Sequence, residues 1–148
     1  MGEIKISGVI ITYNEERNIG RCIESMLDVV DEIVVLDSFS TDMTKAICEG
    51  YGVRFYEQKF LGYTAQKNKA LDYANYRYIL SLDADEVLSE ELRINILKVK
   101  NNWEYDGYEM NRRTNYCGKW INHCGWYPDR KLRLWDREKG RWGGGALH

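Results

Sequence analysis

Short apolar runs alternate with amphipathic stretches over residues 1–102. Runs rich in β-branched residues predict buried strands at 6–13, 31–38, 53–58 and 76–83. Apolar residues at helical spacing predict helices within 14–30, 40–52, 63–75 and 89–102. Asn14 and Ser89 are the predicted N-caps of the first and last of these helices. This alternation indicates an α/β fold, a Rossmann-like, mostly parallel sheet with helices on both faces.

The alternation of predicted strands and helices ends at about Trp103. Two short strands are predicted within 107–121, around Cys117 and Gly118, and a third at 131–136. We expect these strands to form a small antiparallel addition to the sheet. A chain of 148 residues is long enough for one domain with its own core.

Polar side chains follow three of the predicted parallel strands, at the points where those strands end. They are Thr12, Tyr13, Asn14 and Glu15 after the first strand, Asp37 and Ser38 after the second, and Asp83, Ala84 and Asp85 after the fourth. Ligands of open α/β sheets bind beyond the carboxyl ends of the strands. The three clusters therefore predict one binding site at that edge.

The acidic cluster raises the question of which cation it binds, because Glu86 adds a third carboxylate next to Asp83 and Asp85. In an extended chain, residues i and i+2 point the same way, so Asp83 and Asp85 aim at one spot. Two carboxylates suit Mg²⁺ or Mn²⁺, whose coordination phosphate oxygens and waters would complete. The alternative is a solvated acidic turn.

Other polar residues allow two interpretations each. Asp37 can accept hydrogen bonds from a base or from ribose hydroxyls, or it can cap a helix that begins near Thr41. Lys67 can reach a phosphate or base and Asn68 can hydrogen-bond to it, or both can belong to a solvated helix face.

Composition narrows the class of protein. Net charge is −2, and without a basic helix we expect no nucleic-acid partner. Residues 103–148 hold nine basic and six acidic side chains, a balance that suits an anionic substrate, membrane headgroups or a solvated face. No apolar run approaches 18 residues and no signal-peptide pattern opens the chain, so we expect a cytoplasmic protein.

The cysteines at 22, 48, 117 and 124 have irregular spacing and are expected to be free thiols. A zinc site built from Cys117, His123, Cys124 and His148 is the less favoured alternative, because structural zinc sites prefer short Cys-x-x-Cys spacings.

Four segments in order, "SGVIITYNEERNI", "VVLDSFSTDMT", "AQKNKAL" and "ILSLDADEVL", resemble family 2 glycosyltransferases of the GT-A fold. With "WYPDRKLRLW" and "WGGGALH", the chain is most similar to the branch that adds sugars to the lipopolysaccharide core. The resemblance implies nucleotide-sugar binding by Thr12, Tyr13, Asn14, Glu15, Asp37, Ser38, Lys67, Asn68, Asp83 and Ala84. It also implies that Asp83 and Asp85 form the DxD pair that holds Mg²⁺ or Mn²⁺.

The resemblance implies inverting transfer from a UDP-sugar, with UDP-glucose as the guess, to a saccharide or lipid-linked saccharide such as the lipopolysaccharide core. The protein would then work in the cytoplasm, in possible peripheral contact with the inner membrane face. In this branch an acidic general base directly follows the position of His148, where the chain ends. We therefore expect a truncated catalytic domain whose catalytic base is unknown, with a nucleotide-sugar-binding half at 1–102 and the start of an acceptor half at 103–148.

Three other interpretations stay open. "LDADEV" also matches the DxDxV pattern of haloacid dehalogenase-like phosphatases, in which Asp83 would be a nucleophile. A sugar-1-phosphate nucleotidyltransferase would need a glycine-rich loop where "TYNEERN" stands. The chain could also be a catalytically incomplete module that binds a nucleotide-sugar. Trp120, Trp126 or Trp135 could form a stacking platform for an acceptor sugar, or could be ordinary core residues.

Overall fold

The structure is a computed structural model that describes residues 3–111, 116–119 and 132–140. Its elements, in chain order, are β1 (Ile6–Thr12), α1 (Ile19–Met26), β2 (Glu32–Asp37), α2 (Thr44–Gly50), β3 (Arg54–Glu57), α3 (Tyr63–Tyr73), β4 (Tyr78–Asp83), α4 (Glu90–Asn101), β5 (Gly107–Asn111), β6 (Tyr116–Lys119) and β7 (Leu132–Asp136). The predicted alternation of strands and helices is confirmed.

The seven strands form one sheet in the order β3-β2-β1-β4-β7-β5-β6. The first four strands in this order, β3, β2, β1 and β4, pair in parallel. By contrast, β7 pairs antiparallel with both β4 and β5, and β5 pairs antiparallel with β6. Both the mostly parallel sheet and the antiparallel addition are thus confirmed. The strand that joins the two parts is β7, the last of the described strands in the chain.

The two faces of the sheet bury different helices, because successive residues of a strand point to opposite sides. Ile6 and Ile10 of β1 pack with α1, α4 and Cys48 of α2 in the larger core cluster. Val9 packs with Ala70, Leu71 and other residues on the side of α3. Helices cover both faces as expected, three on one side and α3 on the other.

One predicted helix cap is confirmed and one is wrong. Ser89 Oγ accepts a hydrogen bond of 3.1 Å from Leu92 N at the start of α4. By contrast, α1 begins at Ile19 with Asn18 at its N-cap position. A turn closed by hydrogen bonds from Asn18 N and Ile19 N to Glu15 O separates Asn14 from the helix.

Two cysteine side chains and one tryptophan side chain discussed above are part of the core. Cys22 and Cys48 are buried free thiols, as expected. Trp135 is only 2% exposed, which favours the second of its two interpretations, an ordinary core residue, and its indole N–H donates to Gly140 O at 3.1 Å. The remaining residues of these hypotheses lie outside the described side chains, namely Cys117, Trp120, His123, Cys124, Trp126 and His148. Within the described ranges, no helix is long and apolar enough to cross a membrane.

Candidate functional site

The strand register brings the three polar clusters to one edge of the sheet. Thr12 lies opposite Asp37 in the β1–β2 pair, and Ile11 lies opposite Asp83 in the β1–β4 pair. A cavity of about 650 Å³ opens at this edge. Its lining is formed by Ile11, Thr12, Tyr13, Glu15, Ser38, Phe60, Tyr63, Gln66, Lys67, Asp83, Ala84 and Asp85. Most of the predicted site residues therefore meet at one cavity.

Three predicted site residues do not line this cavity: Asn14, Asp37 and Asn68. Asp37 follows Ile33 and Val35 in the alternation of β2 and is fully buried. Its two carboxylate oxygens accept hydrogen bonds from Ser40 N at 2.7 Å and Ser40 Oγ at 2.5 Å. In this geometry Asp37 shapes the loop before α2. The helix itself begins at Thr44 with Met43 at its N-cap position and no side-chain cap, so the predicted capping role of Asp37 is wrong. Its contact with a base or ribose stays a prediction.

Asn14 joins the two loops that follow β1 and β2. Its backbone N–H donates to Ser40 Oγ at 2.7 Å, and its side-chain oxygen accepts from Thr41 N at 2.8 Å. Asn14 and Phe39 both have positive φ angles, 50° and 60°. Asn tolerates this region well, but for a bulky residue such as Phe it is rare and costs free energy. The loops at the cavity rim are thus held in a strained but hydrogen-bonded arrangement.

Gln66 is a site residue that the sequence analysis missed. It is fully buried on α3, and its amide Nε2 donates to Ser38 Oγ at 3.1 Å and to Gln58 O at 3.3 Å. The amide therefore links α3 to the ends of β2 and β3 in the cavity wall. The sequence feature that indicates the burial of Gln66 is helical spacing, because Gln66 precedes the buried Ala70 and Ala74 by four and eight residues.

Exposed aromatic rings form another part of the wall. The rings of Phe60 and Tyr63 meet edge to face, with centroids 5.1 Å apart, on either side of Gly62. Gly62 has a φ of +108°, which suits glycine and brings the two rings onto the same rim. Tyr13 is exposed as well and also lines the cavity. These rings offer apolar faces on which a planar or sugar ring can pack.

The acidic turn after β4 already contains cationic partners from the protein. Lys67 Nζ lies 3.9 Å from one oxygen of Asp83, and Arg133 Nη2 lies 3.5 Å from the other. Arg133 Nη2 also lies 3.2 Å from the buried carboxylate of Glu86. The other oxygen of Glu86 accepts a hydrogen bond of 2.7 Å from Asp83 N. The third carboxylate of the cluster is therefore neutralised by an arginine of β7.

Asp85 differs from its acidic neighbours because its side chain is exposed and lines the cavity. Within the described residues, no hydrogen bond or ion pair engages its carboxylate, and no group of three or more metal-binding side chains exists. The protein thus offers a divalent cation the carboxylate of Asp85, together with the half-exposed Asp83, whose two oxygens already lie within 4 Å of Lys67 and Arg133. This donor set fits Mg²⁺ or Mn²⁺, which take carboxylate oxygens together with phosphate oxygens and waters.

The buried polar groups near the cavity include one hydroxyl and one thiol. The hydroxyl of Thr12 is buried and lacks a hydrogen-bond partner among the described residues. Cys22 Sγ donates weakly to Asp83 O at 3.5 Å. Burial, together with the charges of Glu86, Asp83 and Asp85, raises the pKa of the Cys22 thiol, and burial raises the pKa of Cys48 to about 12. Both cysteines stay protonated near neutral pH and supply no thiolate to the site.

Comparison with known proteins places the chain in a family. The family described as "Glycosyl transferase family 2" matches residues 7–145. The chain belongs to this family. Its match spans nearly all of the parallel part of the sheet, the cavity and β7, so the residues that line the cavity all lie inside the family region.

Curated relatives agree with this assignment. The lipopolysaccharide core biosynthesis glycosyltransferase LpsC of Rhizobium meliloti is 35% identical over 95% of this chain and 54% of its own length. An uncharacterized glycosyltransferase of Rickettsia felis is 43% identical over 70% of this chain and 37% of its own length. The chain therefore spans only about a third to a half of the length of these relatives.

Solved structures show that the fold is the GT-A glycosyltransferase fold. The mannosyltransferase PcManGT of Pyrobaculum calidifontis, solved with GDP-Man and Mn²⁺, has a TM-score of 0.65 over 92% of this chain and 45% of its own, at 18% identity. TarS of S. aureus has a TM-score of 0.51 at 29% identity over 62% of this chain and 31% of its own. Glucosyl-3-phosphoglycerate synthase of Mycobacterium tuberculosis was solved with Mn²⁺, UDP and phosphoglyceric acid. It has a TM-score of 0.51 at 28% identity over 57% of this chain and 34% of its own.

Proposed function

We propose that this chain carries the donor site of an inverting glycosyltransferase that moves a sugar from a nucleoside-diphosphate sugar to a saccharide acceptor. The observation that carries the proposal is the cavity at the carboxyl edge, where Asp83 and Asp85 lie with Lys67 and three exposed aromatic rings. Carboxylates for a metal, a cation for phosphate and aromatic faces for rings are the groups that a nucleotide-sugar requires.

UDP is the proposed nucleotide, and UDP-glucose the proposed donor. Support comes from the Mycobacterium tuberculosis synthase, whose structure contains UDP and Mn²⁺ and which is 28% identical to this chain. The likeness to the GDP-Man-bound mannosyltransferase extends to the fold alone.

The positions of the residues support the roles that we propose for them. Asp85 would ligate Mg²⁺ or Mn²⁺, with Asp83 available to the metal or to ribose hydroxyls. When bound, the metal neutralises charge on the departing diphosphate. Lys67 would add a positive charge near the phosphates. Thr12, Tyr13, Glu15, Ser38 and Ala84 would line the nucleotide pocket, with Asn14, Asp37 and Asn68 supporting it from outside the cavity.

The acceptor side is proposed from the relatives. LpsC is named for lipopolysaccharide core biosynthesis, which supports a saccharide acceptor of that kind. That the acceptor is carried on a lipid at the cytoplasmic face of the membrane is part of the proposal and has no separate support. Inverting transfer needs a general base that takes the proton of the acceptor hydroxyl. No described residue is assigned this role here. The division into halves at residue 102 stays a prediction.

A calorimetric titration tests the donor site directly. UDP is titrated into the chain with Mn²⁺ and again with EDTA, and GDP serves as the competing nucleotide. Binding that needs Mn²⁺ and favours UDP supports the proposal. A chain that circular dichroism shows to be folded and that binds neither nucleotide under either condition would overturn it. Transfer of glucose from UDP-glucose to a saccharide would then separate an active enzyme from a module that only binds the donor.

A further inference from the structure

Arg133 connects the acidic turn with the antiparallel part of the sheet. Arg133 lies on β7, 47 residues after Glu86, and both side chains are buried. Its Nη2 atom is 3.2 Å from Glu86 and 3.5 Å from Asp83, so one nitrogen touches two carboxylates of the turn. Neither Arg133 nor Glu86 lines the cavity, whereas Asp83 does, so the contact reaches the cavity through Asp83.

Glu86 and Arg133 contact Asp83 at different atoms. Glu86 accepts from Asp83 N with one oxygen and pairs with Arg133 through the other. Glu86 N in turn donates to Asp83 O at 2.9 Å, which closes the turn. Asp83 is therefore held at its backbone by Glu86 and at its carboxylate by Arg133 on one side and Lys67 on the other. Two of these constraints depend on Arg133.

We propose that Arg133 is a positioning residue of the donor site, which orients Asp83 and the 83–86 turn toward a metal–nucleotide ligand through its contacts with Glu86 and Asp83. The inference rests on the proposed function. Arg133 acts through the acidic turn and does not itself touch the nucleotide. Arg133 also links β7 to the site, so a shift of the antiparallel strands would change the position of the Asp83 carboxylate.

The matched control lies at the opposite end of the same pair of strands. Arg77, just before β4, donates to both oxygens of Asp136 on β7, at 2.9 and 2.7 Å. Arg77 and Arg133 thus both join the β4 segment to β7 through carboxylates, but only Arg133 is next to the cavity. Arg77→Met is expected to lower the melting temperature and to leave the affinity for UDP within about twofold.

The test measures UDP affinity in the presence of Mn²⁺, and the melting temperature, for two variants. Arg133→Met leaves the buried charge of Glu86 without its guanidinium, so its melting temperature should fall. The double variant Glu86→Gln/Arg133→Met removes that charge, and the oxygen of the introduced amide can still accept from Asp83 N. Its melting temperature should recover, while its affinity for UDP should stay about tenfold weaker than in the unaltered chain, as for a lost charge-assisted contact.

The outcomes separate the two proposals. An unaltered chain that does not bind UDP overturns the proposed function and this inference with it. Binding by the unaltered chain with equal affinity in the double variant overturns the positioning role alone. Arg133→Lys adds a rescue, because one ammonium nitrogen can replace the single Nη2 that bridges both carboxylates. Affinity within about threefold of the unaltered chain is expected, and a loss as large as that of Arg133→Met would also overturn the inference.

Discussion

The two ends of the parallel strands both carry half-buried charges, but they use them differently. At the amino end, Glu32 accepts from Ser7 Oγ at 2.6 Å, from Arg54 at 2.9 Å and from the backbone and side chain of Asn75 at 2.6 and 3.0 Å. Asp31 nearby pairs with the buried Lys100 at 2.9 Å. These carboxylates have their partners within the protein.

At the carboxyl end the matching is incomplete. Asp83 and Glu86 have cationic partners, yet Asp85 faces the cavity and the Thr12 hydroxyl lacks a partner among the described residues. Unmatched polar groups cost free energy of folding unless water or a ligand satisfies them. The comparison indicates that charges at the amino end stabilise the fold, whereas part of the polar chemistry at the carboxyl end is available to a ligand.

The sharpest test of the amino end is Glu32→Ala. It leaves Arg54, Ser7 and Asn75 without their shared acceptor, so the free energy of unfolding should fall by about 3 kcal/mol. Urea unfolding measures this loss, with exposed Glu49→Ala as a control expected to change it by less than about 0.5 kcal/mol. Weaker UDP binding by folded Glu32→Ala would break the comparison, since this edge would then contribute to the site.

The reverse pattern is expected for Asp85→Asn. Its exposed carboxylate lines the cavity and has no ion pair among the described residues, so affinity for UDP with Mn²⁺ should fall by at least about 100-fold, as expected for a direct metal ligand. The free energy of unfolding should change by less than about 0.5 kcal/mol, because no described ion pair is lost. Asp72→Asn, an exposed position at the far end of α3, serves as the calorimetric control. Unchanged UDP affinity in Asp85→Asn would contradict the assignment of the metal.

Acidification probes the same contrast through protonation. Burial alone would raise the pKa of Glu32, but hydrogen bonds from Ser7, Asn75 and Arg54 outweigh it and hold the pKa below its ordinary value of 4.5. A carboxylate whose pKa is depressed by folding stabilises the protein above its unfolded pKa, and this stability is lost as pH falls through the folded value. Stability should therefore decline below about pH 4.5.

Glu32→Gln identifies how much of that decline belongs to this residue. The variant keeps a hydrogen-bond acceptor but cannot titrate, so its unfolding free energy should depend less on pH below about 4.5 than that of the unaltered chain. Urea unfolding at a series of pH values between about 3 and 7 gives both curves. Parallel curves would show that other carboxylates, Asp31 among them, cause the acid sensitivity.

Sequence patterns predicted the elements because they depend on local spacing. The short apolar runs "VIITY" and "YILSLD" and the helical spacing around α1 and α4 were sufficient for the parallel sheet. The convergence of Thr12, Ser38 and Asp83 followed from the rule that the carboxyl ends of parallel strands meet. These predictions needed no information about distant pairing.

The parts that were missed depend on contacts between distant segments. Arg133 reaches Glu86 because β7 inserts between β4 and β5, a strand order that no local pattern contains. Gln66 looked like one polar residue among several in "AQKNKA" until α3 packed its buried face against the end of β2. Asp37 was placed at the right edge of the sheet, but its contact with Ser40 depends on the left-handed turn at Phe39.

The smallest effect is expected at Thr12, where the comparison can be tested with one atom. Thr12→Val keeps the branched shape and removes a buried hydroxyl without a described partner, so the free energy of unfolding should rise by up to about 1 kcal/mol. Thr44→Val is the matched control, because Thr44 Oγ1 accepts from Glu15 N at 2.9 Å and donates to Asp42 at 2.6 Å, and its loss should destabilise the fold. If the Thr12 hydroxyl serves the ligand, the stabilised variant should bind UDP more weakly. Greater stability with unchanged UDP affinity would mean that the unmatched hydroxyl has no part in binding, and the contrast between the two ends would then depend on Asp85.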